Sequence, residues 1–192
     1  MTGGVLLTGG RSTRFGSDKA VTRLGGETFA VRAARLLEGV CTPVIEVGAG
    51  TSGLVSVREE PAFGGPVAAV LAAADLIDPP FVVLACDHVT MTAEVVRRLV
   101  DDQRDTVVPV IDGHPQYVAA RYGPGGIASL RASFAAGDRS FRSLDLDALG
   151  AADASFPAAA FVDVDDPADL FAVERAPSLH QHRRADDESN PR

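Results

Sequence analysis

Val5-Leu6-Leu7-Thr8-Gly9-Gly10-Arg11-Ser12-Thr13-Arg14-Phe15-Gly16-Ser17-Asp18-Lys19 runs from an apolar triplet into a loop rich in glycine and cations. A triplet without polar alternation suits a strand buried on both faces. Gly9 and Gly10 carry no Cβ, so the chain can bend sharply there and bring its N–H groups against a phosphate. Arg14 and Lys19 add charge and several donors. Together they predict a cradle for a polyphosphate at the carboxyl end of the first strand. A Walker A loop does not fit, because five residues separate Gly10 from Gly16 and Lys19 lies three beyond Gly16. The dinucleotide pattern G-x-G-x-x-G is missing as well. Kinase, ATPase and NAD(P) chemistry are thereby disfavoured.

Outward from this loop, strands alternate with helices. The spacing of Phe29, Ala33, Leu36, Leu37 and Val40 predicts a helix from about Thr28 to Glu38, capped by Thr28. Strands are expected at Pro43–Val47, Leu54–Val57, Phe81–Cys86, Thr106–Val110 and Gln116–Tyr122, the last antiparallel to its neighbour. Pro66 opens an Ala-rich helix reaching Ile77, Thr92 opens another, and Ile127–Phe134 forms a third. Phe161–Val164 reads as a late strand that places Asp163 and Asp165 on one face. Asp166-Pro167 then starts a last helix to about Glu174. The expected fold is α/β, a three-layer αβα single domain on a mostly parallel sheet. In such sheets ligands sit beyond the carboxyl ends of the strands. Residues 1–176 form that domain, and 177–192 lack apolar periodicity and read as a disordered tail.

The 192 residues are 46% hydrophobic and 23% charged, with a net charge of −8. That composition is globular, and its acidity argues against a nucleic-acid partner. No apolar run approaches the ~20 residues of a membrane span, and the first residues lack a signal peptide's basic and apolar regions. Cys41 and Cys86 lie far apart, which excludes a disulfide framework or zinc ribbon and makes a reducing cytoplasm the expected location. Residues 1–26 run against the overall charge, with Arg11, Arg14, Lys19 and Arg23 against Asp18 alone. A basic loop on an acidic chain suggests a small anionic ligand or, more plainly, a solvated basic surface.

Residues 7–19 resemble the signature L-[AT]-G-G-x-S-x-R-[MF]-G-x-D-K of nucleotidyltransferases that act on the molybdenum cofactor, of the MobA type. The resemblance continues in Glu59-Glu60-Pro61-Ala62-Phe63-Gly64-Gly65-Pro66-Val67-Ala68-Ala69, Ala85-Cys86-Asp87, Asp112-Gly113-His114-Pro115-Gln116 and the segment from Phe161 to Leu170. It implies a Rossmann-like nucleotidyltransferase sheet, similar to the GT-A arrangement. The implied reaction transfers GMP from GTP to the phosphate of molybdopterin and releases pyrophosphate, with Mg2+ as cofactor. Contact with other proteins of molybdenum-cofactor biosynthesis is implied too.

By the same resemblance Leu7, Thr8, Gly9 and Gly10 would meet the nucleotide, and Lys19 its phosphates. Arg14, Lys19 and Asp87 would carry the chemistry, with Asp87 and Asp165 holding the metal. Gly48 stands where relatives often place an asparagine near the nucleotide. Glu60 stands for an aspartate that binds guanine, whose adjacent N–H donors suit a carboxylate. Each has a plainer reading: Glu60 as a solvated loop acid, Asp87 as a turn or cap residue, and Asp165 or Asp166 as a helix cap. His88 departs from the family pattern and reads as a rim histidine. Cys86 reads as a buried strand side chain, and Gln116 and Arg121 as either acceptor contacts or strand surface. Further alternatives are CMP transfer, a phospholactate or sugar phosphate acceptor, and a nucleotide-binding protein without turnover.

Overall fold

The computed structural model describes residues 1–9, 19–59, 64–147, 149 and 151–175. Gly10, Arg14, Glu60 and the expected tail at 177–192 lie outside the described residues. In chain order the elements are β1 (Gly3–Leu7), a 3-10 turn (Lys19–Val21), β2 (Arg23–Leu24), β3 (Glu27–Thr28), α1 (Phe29–Glu38), β4 (Val44–Val47) and β5 (Ser56–Val57). There follow α2 (Gly65–Ala74), β6 (Phe81–Ala85), α3 (Ala93–Asp101), β7 (Val108–Ile111), β8 (His114–Pro115) and β9 (Ala119–Tyr122). The described chain ends with α4 (Pro124–Ala135), β10 (Ala152–Asp153) and α5 (Pro167–Arg175).

Five strands form the central sheet in the order β5-β4-β1-β6-β9. All neighbours are parallel except β9, which runs antiparallel to β6 with Phe81 opposite Tyr122. A bridge between Val107 and Arg121 ties the outer side of β9 to the segment leading into β7. β1 is buried throughout, as its unbroken apolar run requires. Leu6 faces one core with Phe29, Leu37, Val95 and Leu99 of α1 and α3. Val5 and Leu7 face the other, with Val67, Val70 and Leu130 of α2 and α4. Helices thus cover both faces, giving the three-layer α/β arrangement. None of the described helices is long and apolar enough to cross a membrane.

Local chemistry explains several boundaries. The Thr28 hydroxyl accepts from Val31 N at 3.2 Å and the Thr92 hydroxyl from Val95 N at 3.3 Å, so both threonines cap as their positions predict. Pro66 sits in the first turn of α2. Gly25 and Gly26, at φ +62° and +99°, make the tight turn between β2 and β3, a hairpin with no apolar pattern to announce it.

The expected strand at Phe161–Val164 does not form. Ala158–Ala160 makes a 3-10 turn, and Phe161 and Val164 are buried at a spacing of three rather than two. Val164 N bonds Asp87 O at 3.1 Å and Val162 N bonds the Thr90 hydroxyl at 3.2 Å. Those partners lie past the end of β6, so no ladder can propagate and the same-face argument for Asp163 and Asp165 fails.

Candidate active site

β1 lies where the connections reverse: the chain leaves it toward β4 and β5, then returns to its other side at β6. Ligands of open α/β sheets bind at such a switch point. The segments leaving β1, β4 and β6 meet here. Thr8 N bonds Val47 O at 3.1 Å, and Cys86 N bonds Leu7 O at 3.1 Å. The strand ends therefore stay registered into the loops that carry the predicted residues.

Three of those residues come together. Lys19 Nζ bonds Asp87 Oδ2 at 3.2 Å and also bonds the Asp165 carboxylate. Lys19 opens the 3-10 turn that the burial of Ala20 pins in place. Asp87 follows β6, and its backbone carbonyl accepts from Val164 N, which brings the next residue, Asp165, to the same ammonium. Asp166, not Asp165, caps α5: its Oδ1 accepts from Ala168 N at 2.7 Å and Asp169 N at 3.1 Å. The Asp169 carboxylate in turn accepts from Asp165 N at 2.9 Å, fixing the approach of Asp165. Burial works to lower the Lys19 pKa, but the Asp165 and Asp87 carboxylates outweigh it and hold it above the ordinary lysine value. Two carboxylates converging on one point offer the hard oxygen donors of a divalent cation such as Mg2+, which draws its other ligands from phosphate and water. No third Asp, Glu, His or Cys completes a metal-binding group among the described residues.

The loops after β1 and β4 touch directly. Gly48 has φ +143°, and a Cβ there would lie 2.4 Å from Thr8 Oγ1 and 2.5 Å from Gly9 N. The position demands glycine on both counts, which accounts for the departure from asparagine. Beside them stands Glu59, the neighbour of the expected Glu60. A Cβ on Gly9 would be 4.0 Å from both Glu59 carboxylate oxygens. Two adjacent acids in a loop cannot be ranked from their order alone, so the sequence carries no signal that sets Glu59 apart from Glu60.

Other expectations need correction. His88 is not at the rim: it is 5% exposed, edge-on to Phe161, and its Nδ1 finds no hydrogen-bond partner among the described residues. Burial outweighs the pull of Asp87, Asp163 and Asp165 and holds its pKa below the usual value. Arg121 does not reach a ligand surface. It is buried, and its Nη1 donates to the carbonyls of Arg104 and, at 3.1 Å, Asp105. Gln116 turns back to His114 O at 3.0 Å. Cys86 is buried as expected. A cavity of about 920 Å³ between α1 and α3, bordered by Arg32, Met91, Arg97 and Ala160, shares no residue with the Lys19 cluster.

The model of the MobA-like NTP transferase domain matches residues 4–181. A probable molybdenum cofactor guanylyltransferase of Pelotomaculum thermopropionicum is 34% identical over 143 residues, covering 69% of each chain. Another from Chloroflexus aggregans is 31% identical over 156 residues, covering 72% of this chain and 74% of the relative. In structure, the molybdopterin-guanine dinucleotide biosynthesis protein A of Archaeoglobus fulgidus superposes with a TM-score of 0.73 at 19% identity, covering 93% of this chain and 100% of that one. The 2-C-methyl-D-erythritol 4-phosphate cytidylyltransferase of Thermus thermophilus superposes with a TM-score of 0.69 at 16% identity, covering 94% of this chain and 100% of that one. At those identities the structural likeness speaks for the fold. On the domain match and the sequence relatives, with a glycine loop, a lysine and two aspartates at the carboxyl edge of a parallel sheet, this chain belongs to the MobA-like NTP transferase family.

Proposed function

We propose that this nucleotidyltransferase moves GMP from GTP onto the terminal phosphate of molybdopterin, yielding the guanine dinucleotide cofactor and pyrophosphate. The observation that carries the reading is the convergence of Lys19, Asp87 and Asp165 past the end of β6, where Cys86 N bonds Leu7 O at the end of β1. The names of the relatives supply the donor and the acceptor.

In this reading the backbone from Leu7 to Gly10 faces the nucleotide, with Arg14 and Lys19 against its phosphates. Lys19 keeps its proton across the working range, so it presents a fixed positive charge where the leaving pyrophosphate gathers negative charge. Asp87 and Asp165 hold the ammonium in position and would hold Mg2+, which when bound neutralises phosphate charge. No side chain acts as nucleophile. An acceptor phosphate oxygen attacks the α-phosphorus in line, and the chain's part is orientation and charge. Glu59 and Glu60 offer carboxylates for the paired N–H donors of guanine, and Gly48 lets the turn after β4 close against Thr8 and Gly9.

Pyrophosphate release from GTP on adding molybdopterin, with Mg2+ present, tests the proposal. Release from CTP and not GTP would reassign the donor, release with a sugar phosphate instead would reassign the acceptor, and no release would leave a binding protein.

A further inference from the structure

Glu46 is a carboxylate inside the sheet that the mechanism above does not use. It lies on β4 with none of its surface exposed, among Val44, Ile45 and Val47. A buried carboxylate is costly unless it is fully bonded. This one accepts from Gly50 N at 2.7 Å, Thr51 N at 3.0 Å, Ser52 N at 2.9 Å and Ser52 Oγ at 2.5 Å. Its fifth donor is the hydroxyl of Thr8, at the end of β1. That hydroxyl in turn accepts from Ala49 N at 3.1 Å. A single acid therefore gathers four residues of the turn after β4, directly or through Thr8, and joins them to the start of the glycine loop. Burial pushes its pKa up, yet the Ser52 and Thr8 hydroxyls and the backbone amides pull it below the ordinary glutamate value, so the charge persists. The Thr8 side chain is spent on this knot. Its hydroxyl points into the protein, and only its backbone remains for a ligand.

We propose that Glu46 is a positioning residue for the nucleotide, fixing the turn 48–52 and the Thr8–Gly9 backbone as one preformed wall of the triphosphate site. This rests on the reading above, in which the nucleotide lies over the ends of β1 and β4. A wall already ordered in the free protein needs no ordering when the ligand arrives, and preorganisation of this kind raises affinity. Without the carboxylate, four donors of the turn and the Thr8 hydroxyl lose their common acceptor. Gly48 then keeps its own bond to Val57 O at 2.9 Å and the Thr8 N–Val47 O bond beside it, but the turn beyond it loses its tie to Thr8.

Glu46→Gln keeps the volume but replaces an acceptor oxygen with a donor facing backbone N–H groups. Ser52→Ala removes one donor and leaves the carboxylate. Calorimetric titration of the full chain with GTP and separately with CTP, both with Mg2+, gives Kd, and steady-state turnover on molybdopterin gives KM and kcat. Glu46→Gln is expected to raise Kd and KM on the order of tenfold, and Ser52→Ala about two- to fourfold, with kcat at saturating nucleotide within about threefold of the parent. A purely structural role would lower the folded fraction and the titration stoichiometry while leaving Kd of the folded molecules as it was. Unchanged Kd in both variants, with the parent binding normally, overturns the proposal. If Glu46→Gln does not fold, an unchanged Kd in Ser52→Ala overturns it and a raised one supports it. If the parent binds neither triphosphate, the nucleotide reading itself fails, and Glu46 loses its role with it.

Discussion

Replacing Lys19 by methionine removes one cation and leaves two acids facing each other. Lys19 Nζ lies 3.2 Å from Asp87 Oδ2, with side chains 15% and 24% exposed. Coulomb's law at an effective dielectric of about 20 gives roughly 5 kcal/mol at that spacing. Exchange with water cancels most of this, leaving the ~1.5–3 kcal/mol of a charged hydrogen bond. Asp165 is 51% exposed, so its pair is screened and adds less than about 1 kcal/mol. A net loss of about 2–3 kcal/mol lowers Tm by roughly 4–12 °C in a chain of this size. In the proposed reaction the same ammonium meets the phosphates. Losing one preorganised charge there costs on the order of 100-fold in kcat, or about 2.7 kcal/mol of barrier. Differential scanning calorimetry without divalent cations reads the first figure, and pyrophosphate release with GTP, Mg2+ and molybdopterin reads the second. An unchanged Tm would mean that the ion pairs contribute no net stability. Turnover within about threefold of the parent would remove Lys19 from the chemistry.

Gly48→Ala drives a methyl group into Thr8 and Gly9 at a positive φ. A loss of about 1–3 kcal/mol is expected in urea unfolding, together with weaker GTP binding; a parent-like midpoint would show that the two loops are not in contact. Asp153 is held down to about 2: burial pushes it up, but the Ser155 hydroxyl and backbone N–H and the Arg104 guanidinium more than compensate. A depressed acid contributes its stability above the unfolded value of ~3.9 and loses it as the pH falls through its folded value, so the advantage over Asp153→Asn, at most about 2.5 kcal/mol, should shrink between pH ~4 and ~2. A constant difference across that range would refute the assignment. Burial pushes the Cys41 thiol up to about 11, and Cys86 is buried as well. Neither should react with a thiol reagent at pH ~8 until the protein is unfolded, and rapid native labelling would contradict their burial.

The framework was legible where periodicity and caps are local. Val5–Leu7 and Phe81–Ala85 are apolar without alternation because helices cover both faces of the sheet, and Thr28, Thr92 and Asp166 cap through bonds spanning two or three residues. The candidate cluster was partly legible for a similar reason: Lys19 and Asp87 directly follow recognisable strands or loops. Asp165 follows from the resemblance, whereas the strand expected to carry it is one that Phe161 and Val164 do not make. What failed depends on contacts distant in sequence. Nothing in Val-Ile-Glu-Val singles out Glu46, and only the folded turn shows that Thr8, 38 positions away, is its donor. His88 and Arg121 carry polar groups that suggest a surface, whereas Phe161 and the Arg104–Asp105 carbonyls enclose them.

One outer border of the central sheet is β5, only the two residues Ser56–Val57 long. The other, β9, is already engaged by the bridge from Val107 to Arg121. An incoming chain that tried to extend the sheet would find little backbone at the first border and a neighbour in place at the second. Addition of a foreign strand to the central sheet is thereby disfavoured at both borders.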